Sequence, residues 1–428
     1  MKNTPKKLLV YSALTASAVL TSTVVNAAGF ALREQSTYGQ GSSFAGIAAG
    51  GDLSTSFWNP ANIGEVEGSE IQGAFSIIHA ESDIETTGAS NVIYRDLEET
   101  GDVGGTSLVP NVYYASEIND KLAWGLSLTA PFGTSTEADR GSRSQYVSLT
   151  AEAASINLSP TISYDVTEEL TIGGGLQVQY IDLELSRAIP VGASAGRFSA
   201  NDPVLNIQGD DVAVGYTLGV NYKIGKTAIG LGYRSSIDHD VEGTISAPAI
   251  GVAGDVNLDL ETPSLITLGL KQQLTDKFTL GLTLERAEWS SVGTLLVKSS
   301  ATGNVVTIGG NPVAVPLNYV DTNFYSIGGE YQYSDTLALR AGLGLDETTV
   351  RDNTRTTQLP DNDRYWLSLG FTKNIKSLTI DFGYTYARVK DEAVVNIGPG
   401  HASFTGLPYT GKATPEVHIL SFALTKKF

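Results

Sequence analysis

From about residue 70 onward, apolar and polar side chains alternate with a period of two, the spacing that gives a strand one apolar and one polar face. Tyr365, Leu367, Leu369 and Phe371 alternate with Trp366, Ser368 and Gly370, and Trp124, Leu126, Leu128 and Ala130 alternate with Gly125, Ser127 and Thr129. The same scheme runs through Ile156 to Tyr164, Leu337 to Leu345 and Ile380 to Tyr386. The pattern predicts strands over 70 to 81, 106 to 117, 121 to 133, 147 to 165, 169 to 186, 206 to 223, 227 to 240, 256 to 274, 277 to 298, 318 to 334, 336 to 347, 363 to 374, 377 to 391 and 414 to 428.

A soluble sandwich would also alternate, so the connections decide. Six short polar turns lie near Asn119-Asp120, Asp165 to Glu169, Lys223 to Lys226, Thr275-Asp276, Ser334-Asp335 and Asn374 to Lys376. They alternate with seven long loops, near Ser82 to Gly105, Gly133 to Ser144, Arg187 to Asn206, Asp240 to Asp255, Ser299 to Leu317, Glu347 to Asp363 and Asp391 to Thr414. Tight turns on one side and large loops on the other are the asymmetry of an outer-membrane barrel. The expected fold is therefore all-β, a 14-stranded antiparallel transmembrane barrel. The final strand closes on Phe428, which resembles the signal read by the barrel-assembly machinery.

The N-terminus supports export. Lys2, Lys6 and Lys7 precede a mostly apolar stretch from Leu8 to Leu20, and Val25-Asn26-Ala27 ends in small residues, so residues 1–27 read as a signal peptide. Beyond it no stretch is apolar enough for a spanning helix, since Ser299 to Val320 is broken by Gly303, Gly309, Gly310, Pro312 and Pro316. The charge balance, 28 basic against 46 acidic residues for a net −18, argues against nucleic acid as a partner. With no cysteine there is neither a disulfide nor thiolate chemistry. His79, His239, His401 and His418 are scattered rather than set at ligand spacing, so neither metal, cofactor nor enzymatic activity is expected. Asp96, Glu98, Glu99 and the pair Asp210-Asp211 read as solvated charge in or near external loops.

Residues 28–69 do not alternate and are rich in small residues, including Gly39, Gly41, Ala45, Gly46, Ala48 and Ala49. A segment this short cannot form its own core. A barrel with this many strands has a lumen too wide for its own side chains to fill. Ala28-Gly29-Phe30, the spaced small residues and then Asp52-Leu53-Ser54-Thr55-Ser56-Phe57-Trp58-Asn59-Pro60-Ala61 resemble the N-terminal hatch of the FadL/TodX family of long-chain fatty acid and hydrocarbon transporters. The resemblance implies a hatch over 28–69 inside a barrel over 70–428, with Phe30, Asn59, Pro60 and Ala61 as hatch and gating residues. It implies capture of a hydrophobic molecule in an external groove, passage to an inner pocket, and exit through a gap where the third strand kinks inward. Outer-membrane lipid, lipopolysaccharide and the assembly machinery are the expected surroundings, and a monomer the expected state.

Two features of the residues themselves fit. Pro131, Phe132 and Gly133 close the third strand, where Pro cannot donate to the ladder and Gly packs nothing, so pairing either breaks or ends there. The loops carrying Ile189, Val191 and Phe198, and Ile245, Ile250 and Val252, are apolar for segments facing water, which marks either a ligand groove or a lid. A carboxylate ligand also needs a cation once it leaves water. Where the family supplies basic residues this chain has Asp182 and Val320, leaving Arg187 and Arg340 as headgroup candidates and a neutral hydrocarbon as an alternative ligand. A general porin, or an adhesin or phage-receptor barrel, are the competing readings, and steady ion conductance or loop-dependent adhesion would separate them.

Overall fold

The computed structural model describes residues 29–88, 90–192 and 196–428, and its fourteen antiparallel strands follow one another around a closed ring. The signal peptide expected over residues 1–27 lies outside the described residues. The strands are β1 Ser69–Glu81, β2 Gly105–Asn119, β3 in two pieces (Leu122–Thr129 and Gly133–Glu137), β4 Thr150–Asp165 and β5 Leu170–Ala188. There follow β6 Val204–Ile224, β7 as Thr227–Arg234 and Ile237–Ala247, β8 as Val252–Thr262 and Leu265–Gln273, and β9 Phe278–Ala287. The ring is completed by β10 Thr322–Ser334, β11 Leu337–Asp346, β12 Arg364–Ile375, β13 Leu378–Val389 and β14 Glu416–Lys427. β14 pairs with β1 from Glu416 opposite Glu81 to Lys427 opposite Glu70, which leaves the wall no free edge.

Alternation sorts the two faces as the sequence predicts. Ile71, Phe75 and Ile77 of β1, Val212 to Val220 of β6 at every second position, and Tyr365, Leu367 and Leu369 of β12 are exposed on the outside. Between them Trp366, Ser368, Gln72 and Ser76 are buried on the inside. An apolar outside around a polar inside is the arrangement a barrel needs in lipid.

Three strands depart from expectation. β3 does not run unbroken from 121 to 133 but stops at Thr129 and resumes at Gly133, because Pro131 has no amide to carry the ladder across. β7 continues to Ala247 and turns at Pro248–Ile250 straight into β8, so the apolar stretch from Ile245 to Val252 is a strand tip and its turn rather than a long loop. Pro248 starts that turn and Gly251 ends it at φ +73°, a left-handed conformation glycine adopts without strain. β9 stops at Ala287 instead of reaching 298, since a tight turn over Trp289–Ser291 folds the Trp289 ring inward.

Above the ring, Asp83–Thr86, Gly101–Asp102, Ala393–Ile397 and Tyr409–Ala413 form a small sheet. Beside it Phe198 meets the rings of Tyr94 at 4.9 Å and Tyr146 at 5.4 Å.

The segment before β1 is a chain of short turns with defined caps: Ser36 caps Thr37–Gln40, Asp52 caps Leu53–Phe57, and Asn59 caps Pro60–Glu65. Its contacts run to inward-facing residues nearly all the way around the ring. The small residues serve close approach. A Cβ built on Gly232 of β7 would stand 1.7 Å from the Trp58 carbonyl oxygen, and one on Gly230 would stand 1.8 Å from that of Ala48. Gly342 of β11 meets the Ser42 carbonyl in the same way, at 2.0 Å. Backbone therefore lies on backbone from Ser42 to Ala61, and no side chain fits between.

Candidate ligand path

Phe30 enters from the leader segment and meets Trp289 at 4.8 Å edge-on, Phe132 at 5.7 Å and Tyr319 at 6.5 Å. Gly29 can only be glycine here, with φ +68° and a Cβ that would stand 2.7 Å from the Trp289 ring. Beside this aromatic group is an apolar cavity of about 70 Å³, lined among others by Phe30, Leu183, Leu260, Leu295, Tyr319 and Leu359. An apolar cavity of about 150 Å³ is the size that takes a benzene ring, and this one is less than half of that. Among the described residues Glu152 is its only charged lining residue. Burial pushes the Tyr319 phenol upward, so it stays a neutral hydroxyl.

A groove of about 450 Å³ opens outward from the cavity, and the two share Leu185, Val315, Thr356 and Gln358. One wall is the segment from Thr294 to Asn318, and the other carries Tyr94, Tyr146, Phe404 and Leu407. Arg187, at the outer end of β5, lines this groove, and among the described residues its guanidinium has no hydrogen-bond or ion-pair partner.

At the break in β3 the leader replaces the missing ladder. The Leu32 amide donates to the Pro131 carbonyl at 2.8 Å and the Gly133 amide donates to the Phe30 carbonyl at 2.7 Å, with Ala31 bridged to Phe132 between them. Phe132 is also held from β4, its amide donating to Ser155 Oγ at 2.9 Å. Pairing between β2 and β3 stops at Val112 opposite Leu128, and the upper piece of β3 pairs with β4. The chain just before β2 meets the upper piece of β3 again, the Glu137 amide donating to the Val103 carbonyl at 3.2 Å. Between lies a window about nine residues tall, roughly 30 Å at the rise of a strand, backed by leader residues 30 to 35.

Deeper in the leader, Asn59 is wholly buried and ties separate stretches of the protein together: Nδ2 donates to the carbonyls of Ala48 at 2.7 Å and Val220 at 2.9 Å, while Oδ1 accepts from Ala61 at 3.1 Å. Pro60 and Ala61 rest on Gly173 of β5. Arg33 reaches the opposite wall, to Glu285 at 2.6 Å and Asp346 at 3.4 Å. Glu34 is buried with Oε2 lacking a partner, and desolvation raises its carboxyl to about 7.

The other sequence-predicted residues are dispersed. Ile189, Ile245, Ile250 and Val252 pack against the apolar cluster around Phe30 and Trp289 without lining either opening, and Val191 is exposed. Phe198 packs in the loop cluster. Arg340 lies in a separate polar vestibule of about 660 Å³, paired with Glu330 at 2.7 Å and Asp381 at 3.6 Å, hydrogen-bonded to Thr372, and stacked 3.9 Å over Tyr38. Asp182 is exposed on the outer face. Trp289, Tyr319, Leu295 and Gln35 were not singled out by the sequence; only the isolated tryptophan after a charged strand end hints at the first of them. Among the described residues no group of three or more His, Asp or Glu is arranged to hold a metal ion.

A closed barrel with an apolar belt and a path running from an outer groove to a wall window defines an integral outer-membrane transport barrel. The chain belongs to the outer membrane protein transport protein family (OMPP1/FadL/TodX), whose sequence profile matches residues 18–428. It is 25% identical over 426 residues to the long-chain fatty acid transport protein of Salmonella typhi, covering 92% of this chain and 95% of that one. The crystal structure of a Pseudomonas aeruginosa FadL homologue shares the fold at a TM-score of 0.81 and 23% identity, covering 94% of this chain and 100% of that one. The Ralstonia pickettii toluene transporter TbuX is more distant, with a TM-score of 0.66, 19% identity and coverage of 91% and 97%.

Proposed function

We propose that this protein takes up hydrophobic molecules across the outer membrane by passive, ligand-gated diffusion, and that its foremost ligand is a long-chain amphiphile with an anionic head, such as a fatty acid. The observation that carries the reading is the continuity between the groove holding Arg187 and the apolar cavity at Phe30. A carboxylate on Arg187 would gain a charge-assisted bond, while the tail passes Leu185 toward Phe30. Residues 28–69 act as the hatch and 70–428 as the barrel.

The cavity is too small for such a tail, so entry requires Phe30 to move. Losing the packing of a buried Phe costs about 3–5 kcal/mol, and each buried methylene returns about 0.8 kcal/mol. A tail of roughly five or more methylenes therefore offsets the displacement, and shorter ones do not. Moving Phe30 pulls on the Gly133 and Pro131 hydrogen bonds, which frees the β2/β3 window as a lateral exit. The apolar belt would face lipid and lipopolysaccharide on every side, which favours a monomer, and the terminal Phe428 strand would be read by the assembly machinery.

A second reading, uptake of a neutral hydrocarbon, is favoured by the absence of any basic residue in the cavity lining. Arg187→Leu separates the two. For an anionic amphiphile it should lower uptake of labelled oleate by about tenfold, the ratio given by about 1.4 kcal/mol, while leaving toluene uptake unchanged. Equal oleate uptake by the variant and the parent would remove the headgroup assignment.

A further inference from the structure

We propose that Gln35 is the positioning residue that rivets the two lips of the β2/β3 window together and sets how readily it opens. This rests on the reading of the window as the exit.

Ala130 lies between the end of the lower piece of β3 at Thr129 and Pro131, and its amide and carbonyl have lost the β2 partners that residues below it keep. Two backbone groups left unpaired in a buried setting would each keep the full penalty of lost hydration. Gln35 satisfies both. Its Nε2 donates to the Ala130 carbonyl at 2.7 Å, and its Oε1 accepts from the Ala130 amide at 3.3 Å. A primary amide offers a donor and an acceptor side by side, as a neighbouring strand does. The side chain thus stands in for one residue of a missing strand.

The main chain of the same residue holds the other lip. Its carbonyl accepts from Tyr113 Oη of β2 at 2.7 Å, and the preceding carbonyl, of Glu34, accepts from Asn111 Nδ2 at 2.8 Å. Gln35 is fully buried at the point where the strands separate, touching β3 by side chain and β2 by backbone. It cannot leave without loosening both. The Leu32 carbonyl shares Nε2 at 3.1 Å, which links the rivet to the stretch that moves with Phe30.

The test exploits the absence of cysteine from the chain. Ala31→Cys places one thiol behind the window, and its reaction with a maleimide dissolved in the bilayer reports opening without reference to transport. In the parent background labelling should be slow and accelerate with oleate. Adding Gln35→Leu, which keeps bulk and removes both bonds, should speed ligand-free labelling by about tenfold or more, as expected for two lost hydrogen bonds. Because maleimide reacts with the thiolate, each rate is read as a ratio to the Ala31→Cys parent at the same pH; adding Gln35→Glu should give a high ratio at about pH 8 and a ratio near one at about pH 5, because burial favours the protonated acid there and only that form can donate to the Ala130 carbonyl. A packing role would show no such pH split, and heat-modifiable gel mobility verifies that each variant is a folded barrel. Parent-like ligand-free labelling in folded Gln35→Leu, or a Gln35→Glu to parent rate ratio that does not change with pH, would overturn the proposal. Failure of oleate to accelerate the parent would instead count against the window as exit.

Discussion

Gly232→Val is expected to prevent the barrel from forming with its leader seated, cutting the yield of folded, heat-modifiable protein by at least about tenfold. The added Cβ would stand 1.7 Å from the Trp58 carbonyl oxygen, far inside contact distance. That oxygen belongs to a turn fixed on both sides, by the Thr55 carbonyl bonded to the Trp58 amide and by the buried Asn59 cap. Overpacking a core costs about 1–3 kcal/mol when side chains can shift. Here two backbones would have to part, so the cost lies above that range. Gly73→Ala is the control, since a Cβ there meets nothing within 4 Å, and it should fold normally. Normal folding of Gly232→Val with the leader protected from protease would contradict the close approach.

Stapling the leader to the kink should abolish transport. Ala31 and Phe132 are antiparallel bridge partners, and such partners have Cα atoms about 4.5–5.5 Å apart, within disulfide reach. The double variant Ala31→Cys, Phe132→Cys should lose oleate uptake to background when oxidised and regain it on reduction. The reduced form serves as its own control for the lost ring. Unimpaired uptake by fully oxidised protein would mean that the leader and the kink need not separate.

Much of the wall is legible in the sequence because lipid outside and polar contacts inside enforce a strict period of two. Trp366 and Leu367 fall on opposite faces for that reason alone. The break in β3 is legible in Pro131, whose missing amide is a local property. The ligand path is less so. Whether Trp289 continues a strand or turns inward depends on Phe30, about 260 positions earlier in the sequence. The stretch from Ile245 to Val252 reads as an apolar loop, but its residues pair across a tight turn and pack on the cluster around Phe30 and Trp289. Arg340 alternates with the outward Leu339 and faces inward, yet its partners Glu330, Asp381 and Tyr38 come from three other elements that no local pattern brings together. Gln35 carries no sequence signal, since its role exists only once Ala130 has lost its neighbours.

Gating depends on a division within the leader: residues 30 to 36 let go while residues 37 to 63 stay packed on the glycines of the wall. Hydrogen exchange followed by mass spectrometry, on the protein in lipid nanodiscs with and without saturating oleate, tests it directly. Ligand should speed exchange of the amides over 30 to 36 and 130 to 133 and leave those over 37 to 63 unchanged. Exchange that rises across the whole leader together, or nowhere in it, would contradict the account.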